Sequence, residues 1–202
     1  AVRSFGRRAL VLQADLQEPE ACERVIDETV DGLGRLDVLL NMASVYHRTP
    51  LDDITLEQWD AQLAVDLRAA WLCGRAAVPH MRRLRGGRII NVASISGRTV
   101  HATSSPAYGS AKAGVIQLTR FLAWQLGPAK ITANAIAPMT TLTPRVAALR
   151  SEADVEKIAS QVPLRRLATP ADHAQVMLFL ASDGAAYLNG TVQDVNGGRV
   201  MM

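Results

Sequence analysis

The chain has 202 residues, 49% hydrophobic and 20% charged, with a formal net charge of +3. That length suits one globular domain with a sizeable core. Its mild basic balance has no face interleaved with aromatics, so nucleic acid is not an expected partner, and no apolar run reaches the ~18 residues of a membrane span.

Strands and helices alternate along the chain, a pattern that predicts an α/β fold with a parallel sheet. The N-terminal AVRSFGRRALVLQADL has no signal-peptide pattern, so a cytoplasmic protein is expected. Within it, Ala9–Leu12 reads as a short apolar strand that ends at Asp15. Pro19 to Leu33 has Val25, Ile26, Val30 and Leu33 on one helical face, with Gly34 as the stop. Asp37–Asn41 is the next strand. Thr55-Leu56-Glu57-Gln58 has the form of a capping box and opens one long helix to about Arg83. His80 to Arg85 holds the densest basic run, where cations complement a helix C-terminus. Cys22 and Cys73 sit in helical patterns and are expected as small buried hydrophobes; no Cys/His metal spacing appears.

Gly86-Gly87 ends the long helix and Arg88–Val92 follows as a buried strand. A helix from Pro106 carries Val115, Leu118, Leu122 and Leu126 on one side and stops at Gly127-Pro128. Ile131 to Ile136 is a strand closed by Pro138. Residues 140 to 162 read as an irregular insertion over the crevice, a common place for a substrate lid. Thr169-Pro170 starts a helix to about Ser182, and Thr191 to Val195 is the last strand.

One stretch carries chemistry. Tyr108 and Lys112 are four apart, so a helix places them on one face. Ser94 leaves the end of the Arg88–Val92 strand, where open α/β sheets place their ligand crevice. A hydroxyl, a phenol and an ammonium in one cleft suit proton transfer to or from an alcohol or carbonyl oxygen. His47 and His101 fall in loops near this cleft. His80 and His173 read as surface residues on helices, and Trp59, Trp71 and Trp124 as packing residues.

The ordered motifs resemble the short-chain dehydrogenase/reductase family in its Tyr-x-x-x-Lys group. The resemblance spans essentially all 202 residues: Ala9–Asp15, LLNMAS at Leu39–Ser44, Trp59–Asp66, Gly87–Gly97, Tyr108–Lys112, NAIAPMTTLT at Asn134–Thr143, Phe179–Asp183 and Asp194–Gly198. It implies a Rossmann-like doubly wound parallel sheet and an NAD(P)-dependent enzyme that interconverts a carbonyl and a secondary alcohol. Ketoreductases, including 3-oxoacyl-carrier-protein reductases, and sugar or polyol dehydrogenases look most similar. The resemblance implies catalytic roles for Ser94, Tyr108, Lys112 and Asp66. It implies NAD or NADP contacts at Asp15, Asn41, Tyr108, Lys112, Thr141 and Thr143. It also implies a homodimer or homotetramer through the long helices.

The departures from the family are specific. The family's first strand, Gly-rich turn, helix and second strand have no counterpart in these residues, so the expected sheet is N-terminally truncated. Its Ala9–Leu12 strand would then lack a neighbour. Either the chain is part of a longer enzyme, or it is a naturally short protein. In the second case a catalytically inactive remnant, serving dimerisation or regulation, becomes the alternative function. Asp66 stands where the family usually has Asn, Met42 and Ser44 replace Asn and Gly, and Met139 replaces Gly.

Overall fold

Pro19 and Gly34 set the ends of the first helix. Helix α1 (Pro19–Leu33) has proline in its first turn and closes on Gly34, whose φ of 92° is left-handed and whose N–H donates to Val30 O. The computed structural model describes residues 2–45, 49–100 and 104–201. His47 and His101 lie outside the described residues.

Four strands follow the apolar runs: β1 (Val38–Asn41), β2 (Gly87–Val92), β3 (Ile131–Pro138) and β4 (Val192–Val195). They form one parallel sheet in the order β1-β2-β3-β4. Asn41 stands opposite Asn91, and Val92 opposite Ile136. Residues 131–137 of β3 are all buried, so the polar groups there need partners. Asn134 supplies its own: Nδ2 donates to Leu188 O at 2.8 Å, and Oδ1 accepts from the Thr191 N–H and hydroxyl.

Helices cover both faces, because a parallel sheet buries two apolar surfaces. On one face Ile26 of α1, Leu72 and Met81 of α3 (Ala69–Arg83) and Leu122 of α4 (Pro106–Leu126) meet Ile89 and Ile131. On the other, Leu180 packs with Ile90 and Ile136. This is the Rossmann-like α/β class expected from the sequence. No helix among the described residues is long and apolar enough to cross a membrane.

Three expected elements differ. Ala9–Leu12 is not a strand; Val11 is 86% exposed, and Leu10 rests against α1 at Gly32. The apolar run is there, but among the described residues no strand lies beside it to accept its backbone bonds. The single helix expected from Thr55 to Arg83 is α2 (Leu56–Leu63), a π-helical turn (Ala64–Arg68) and α3. The Thr55–Gln58 capping box is formed, and the Ala69 N–H donates to Ala64 O, five residues back. The insertion at 140–162 is mostly helical: α5 (Pro144–Leu149) is capped by Thr143, and α6 (Glu152–Ser160) by a Ser151–Asp154 box. The helix after Thr169 is α7 (Pro170–Ala181), with a Thr169–Asp172 box.

Candidate active site

Ser94 leaves β2 and caps a single 3₁₀ turn, Ile95–Gly97, its Oγ accepting from the Ser96 N–H at 3.1 Å. That turn lies directly on α4. A Cβ built on Gly97 would come within 2.6 Å of the Lys112 carbonyl carbon, so only glycine permits the approach. Ser105 caps α4 by accepting from the Tyr108 N–H, and Pro106 fills the first turn. The helix then carries Tyr108 and Lys112 on one face, with the Lys112 Nζ 5.6 Å from the Tyr108 ring centroid. The structure therefore places the Ser94 turn against the helical turn that bears Tyr108 and Lys112.

Lys112 is 3% exposed. Its Nζ donates to Val92 O at 2.9 Å and stands 3.4 Å from Asp66 Oδ2. An ammonium has three protons, so one remains beyond these two partners. Asp66, on the π-helical turn, is buried as well. Its Oδ2 accepts from the Ser44 hydroxyl at 2.9 Å and its Oδ1 from the Val45 N–H at 3.1 Å. Burial pushes the Asp66 carboxyl above its usual range, against the pull of Lys112, Ser44 and Val45. Burial likewise draws Lys112 below its usual range, against the Asp66 charge.

Asn41 ends β1 beside this pair. Its Nδ2 donates to Asn91 Oδ1 at 2.9 Å and to Ala70 O at 3.3 Å. Asn91 passes the chain on to Thr119, whose hydroxyl donates to Val115 O. The Asn41 amide thus ties β1 to β2 and α3. A cleft of about 180 Å³ runs along the strand ends, from Leu16 past Asn41 and Met42 to Asp66 and Lys112. Asp15 precedes Leu16 in the chain but does not line the cleft; it is exposed and accepts from the Gln17 N–H. Thr141 and Thr143 follow β3. The Thr143 hydroxyl oxygen accepts from Val146 N–H as the cap of α5, and Thr141 pairs with His173 at 2.7 Å.

A family model described as enoyl-(acyl carrier protein) reductase matches residues 1–199. The chain belongs to the short-chain dehydrogenase/reductase family. The cis-4-hydroxycyclohexanecarboxylate dehydrogenase of Sinomonas cyclohexanicum is 37% identical over 199 residues, 98% of this chain and 79% of that protein. The 3-oxoacyl-acyl-carrier-protein reductase FabG of Staphylococcus aureus is 34% identical over 200 residues, 99% of this chain and 80% of that one. The crystal structure of a candidate short-chain alcohol dehydrogenase from Sinorhizobium meliloti 1021 superposes with a TM-score of 0.91 at 33% identity. It matches 98% of this chain and 78% of that structure. Members of the short-chain dehydrogenase/reductase family are NAD(P)-dependent oxidoreductases.

The side chains present fit the nicotinamide-ribose side of such a cofactor. Lys112 keeps a donor at the wall of the cleft, and Tyr108 shares its helical face. No Gly-rich turn for the pyrophosphate occurs in these residues. Sequence reasoning missed three polar partners of the expected residues and their neighbours. Ser44 holds Asp66. Gln62 is fully buried, and its Nε2 donates to Val45 O at 2.5 Å. His173, expected on the surface, is 7% exposed. Two signals were available: Gln62 precedes Asp66 by one helical turn, and His173 shares the i, i+3, i+4, i+7 face of Val176, Met177 and Leu180. His80 is also mostly covered and pairs with Asp27 of α1. Trp71 and Trp124 are exposed.

Proposed function

We propose that this chain interconverts a carbonyl and a secondary alcohol with NAD or NADP, Tyr108 serving as the general acid and base. The observation that carries it is the buried Lys112 ammonium, fixed by Val92 O and Asp66, one helical turn from Tyr108. A nicotinamide cofactor, when bound, supplies or accepts the hydride. In reduction Tyr108 gives its phenolic proton to the substrate oxygen; in oxidation the phenolate takes the proton from the alcohol. The Lys112 cation stabilises the phenolate. Ser94 orients the substrate oxygen by hydrogen bonding. Lys112 also holds the nicotinamide ribose through its remaining N–H. Asp15 and Asn41 serve the adenosine end, and Thr143 with the backbone at Thr141 serves the nicotinamide amide. The substrate is a small carbonyl or alcohol, and the exposed Trp71, Phe121 and Trp124 support a seam between copies in a dimer or tetramer.

Two measurements test this. NADH and NADPH are titrated into the purified chain, followed by cofactor fluorescence; saturable binding supports the cleft, and none from a folded chain counts against it. A panel of ketones and secondary alcohols is then assayed with wild type and Tyr108→Phe. The variant is expected to fold and bind cofactor yet lose about 10²–10⁴-fold in turnover, the usual weight of an acid–base group. Full turnover by Tyr108→Phe refutes the role.

A further inference from the structure

The side-chain hydrogen bond between Thr141, just after β3, and the buried His173 is used by none of the steps above. Thr141 forms a parallel bridge with Ala168, and Leu142 N–H donates to Ala168 O at 2.7 Å. Residues 142–167, with α5 and α6, therefore leave and rejoin the fold at one point. His173 stands in the first turn of α7, with its Nε2 2.7 Å from Thr141 Oγ1. The Thr141 hydroxyl is also 3.1 Å from Met139 O. A carbonyl can only accept, so when the hydroxyl proton goes to Met139 the Thr141 oxygen accepts from His173 Nε2–H. That arrangement corresponds to the Nε2–H tautomer, and Nδ1 has no hydrogen-bond partner among the described residues.

The surroundings make the pair informative. Met139, Val162 and Leu167 pack with Ile95, and Val155 and Ile158 of α6 lie against them. One apolar cluster thus joins the root of the α5–α6 excursion to the turn that bears Ser94. Apolar side chains would fill such a place at no desolvation cost. A donor and an acceptor facing each other there add what packing lacks, a fixed direction. The direction they fix is that of Thr141, held on one side by Met139 and on the other by α7.

We propose that His173 is a positioning residue: its hydrogen bond to Thr141 sets the backbone from Met139 to Thr143, and so shapes the nicotinamide side of the cleft. This rests on the proposed function, in which that backbone meets the nicotinamide amide. The same bond fixes where the α5–α6 excursion leaves the sheet, above the Ser94 turn.

The experiment compares His173→Leu, His173→Gln, Thr141→Val and the Leu/Val double variant with wild type. NADH and NADPH dissociation constants are measured by fluorescence titration, and urea midpoints confirm folding. Imidazole ¹⁵N spectra of wild type at pH 7 read the tautomer. The expected result is an Nε2–H tautomer for His173. His173→Leu and Thr141→Val should each weaken cofactor binding about five-fold, the worth of one hydrogen bond. The double variant should also lose about five-fold rather than about twenty-five-fold, because both changes remove the same contact. His173→Gln, which keeps a donor, should recover most of the loss. Should His173→Leu fail to fold, Thr141→Val and His173→Gln still carry the test. Unchanged binding in Thr141→Val, or additive losses in the double variant, overturns this inference and leaves the cofactor site standing. A wild-type chain that binds neither cofactor overturns the site itself, and this role with it.

Discussion

Gly97→Ala is the sharpest test of how the Ser94 turn meets α4. A Cβ at Gly97 would lie 2.6 Å from the Lys112 carbonyl carbon and 2.7 Å from both the Lys112 carbonyl oxygen and the Ala113 nitrogen. Ordinary contact begins near 3.4 Å, so the turn must retreat by about 0.8 Å, the difference from 2.6 Å. All three atoms are backbone in the middle of α4, and no rotamer change can relieve them. Overpacking of this kind costs about 1–3 kcal/mol. With an m-value of about 2–3 kcal/mol/M, the urea midpoint should fall by roughly 0.3–1.5 M. Ser94 lies three residues before Gly97 and moves with the turn, and a displacement near 1 Å can cost about 10²-fold in rate. Gly74→Ala is the control: its Cβ meets only Leu122 Cδ1, at 3.8 Å inside helix α3. That change should be neutral or stabilise by up to about 1 kcal/mol. A Gly97→Ala chain with the wild-type midpoint and wild-type turnover would refute the close approach.

Asp66→Asn should move the rising limb of the pH–rate profile about one unit toward acid, because the Asp66 charge opposes phenolate formation near Lys112; superimposable profiles would dismiss this. Burial pushes the Cys73 thiol up to about 12 and raises Cys22 as well. Both should therefore resist alkylation at pH 8 in the native chain and react fully in urea; stoichiometric native labelling contradicts that. Burial also holds His173 below its ordinary value near 6.5. The unfolded chain then binds the extra proton first, so this residue's contribution to stability is complete above about pH 6.5 and declines as pH falls toward the folded value. Urea melts at pH 7 and 5.5 should show a larger loss for wild type than for His173→Gln, and equal losses would reject the assignment.

The strands β2 and β3 were readable because a strand buried on both faces is short and mostly apolar, as in Ile131–Pro138, where only Thr132 and Asn134 interrupt the run. The Thr55 and Thr169 caps were readable because capping is a local side-chain-to-backbone bond. That Tyr108 and Lys112 share one face of α4 was readable from helical spacing, and the family motifs around them gave the pair its expected role. What escaped depends on distant partners. Ala9–Leu12 has a strand's composition, but a strand is a relation between two segments. The partners of Asp66 arrive from the loop after β1 and from α4, and nothing local in Trp59–Asp66 announces them. His173 was read from residue type, when its helical phase placed it inside. The Ser151–Asp154 box was present in the sequence, and the polarity of the segment masked it.

The π-helical turn at Ala64–Arg68 has a consequence for what the gene can tolerate. An α-helix turns about 100° per residue, and a π turn takes up one residue more than the regular spiral needs. The sequence pattern therefore slips by one residue between α2 and α3, with Asp66 inward at the seam and Trp71 outward beyond it. Removing a single codon here would let the rod close into one continuous helix and leave Leu72, Cys73 and Met81 facing the sheet, because the turn itself takes up the extra residue. What such a deletion would disturb is the local aim of Asp66, the residue of the turn that meets Lys112. The length of this segment is thus tied to the Asp66–Lys112 pair rather than to the packing of α3.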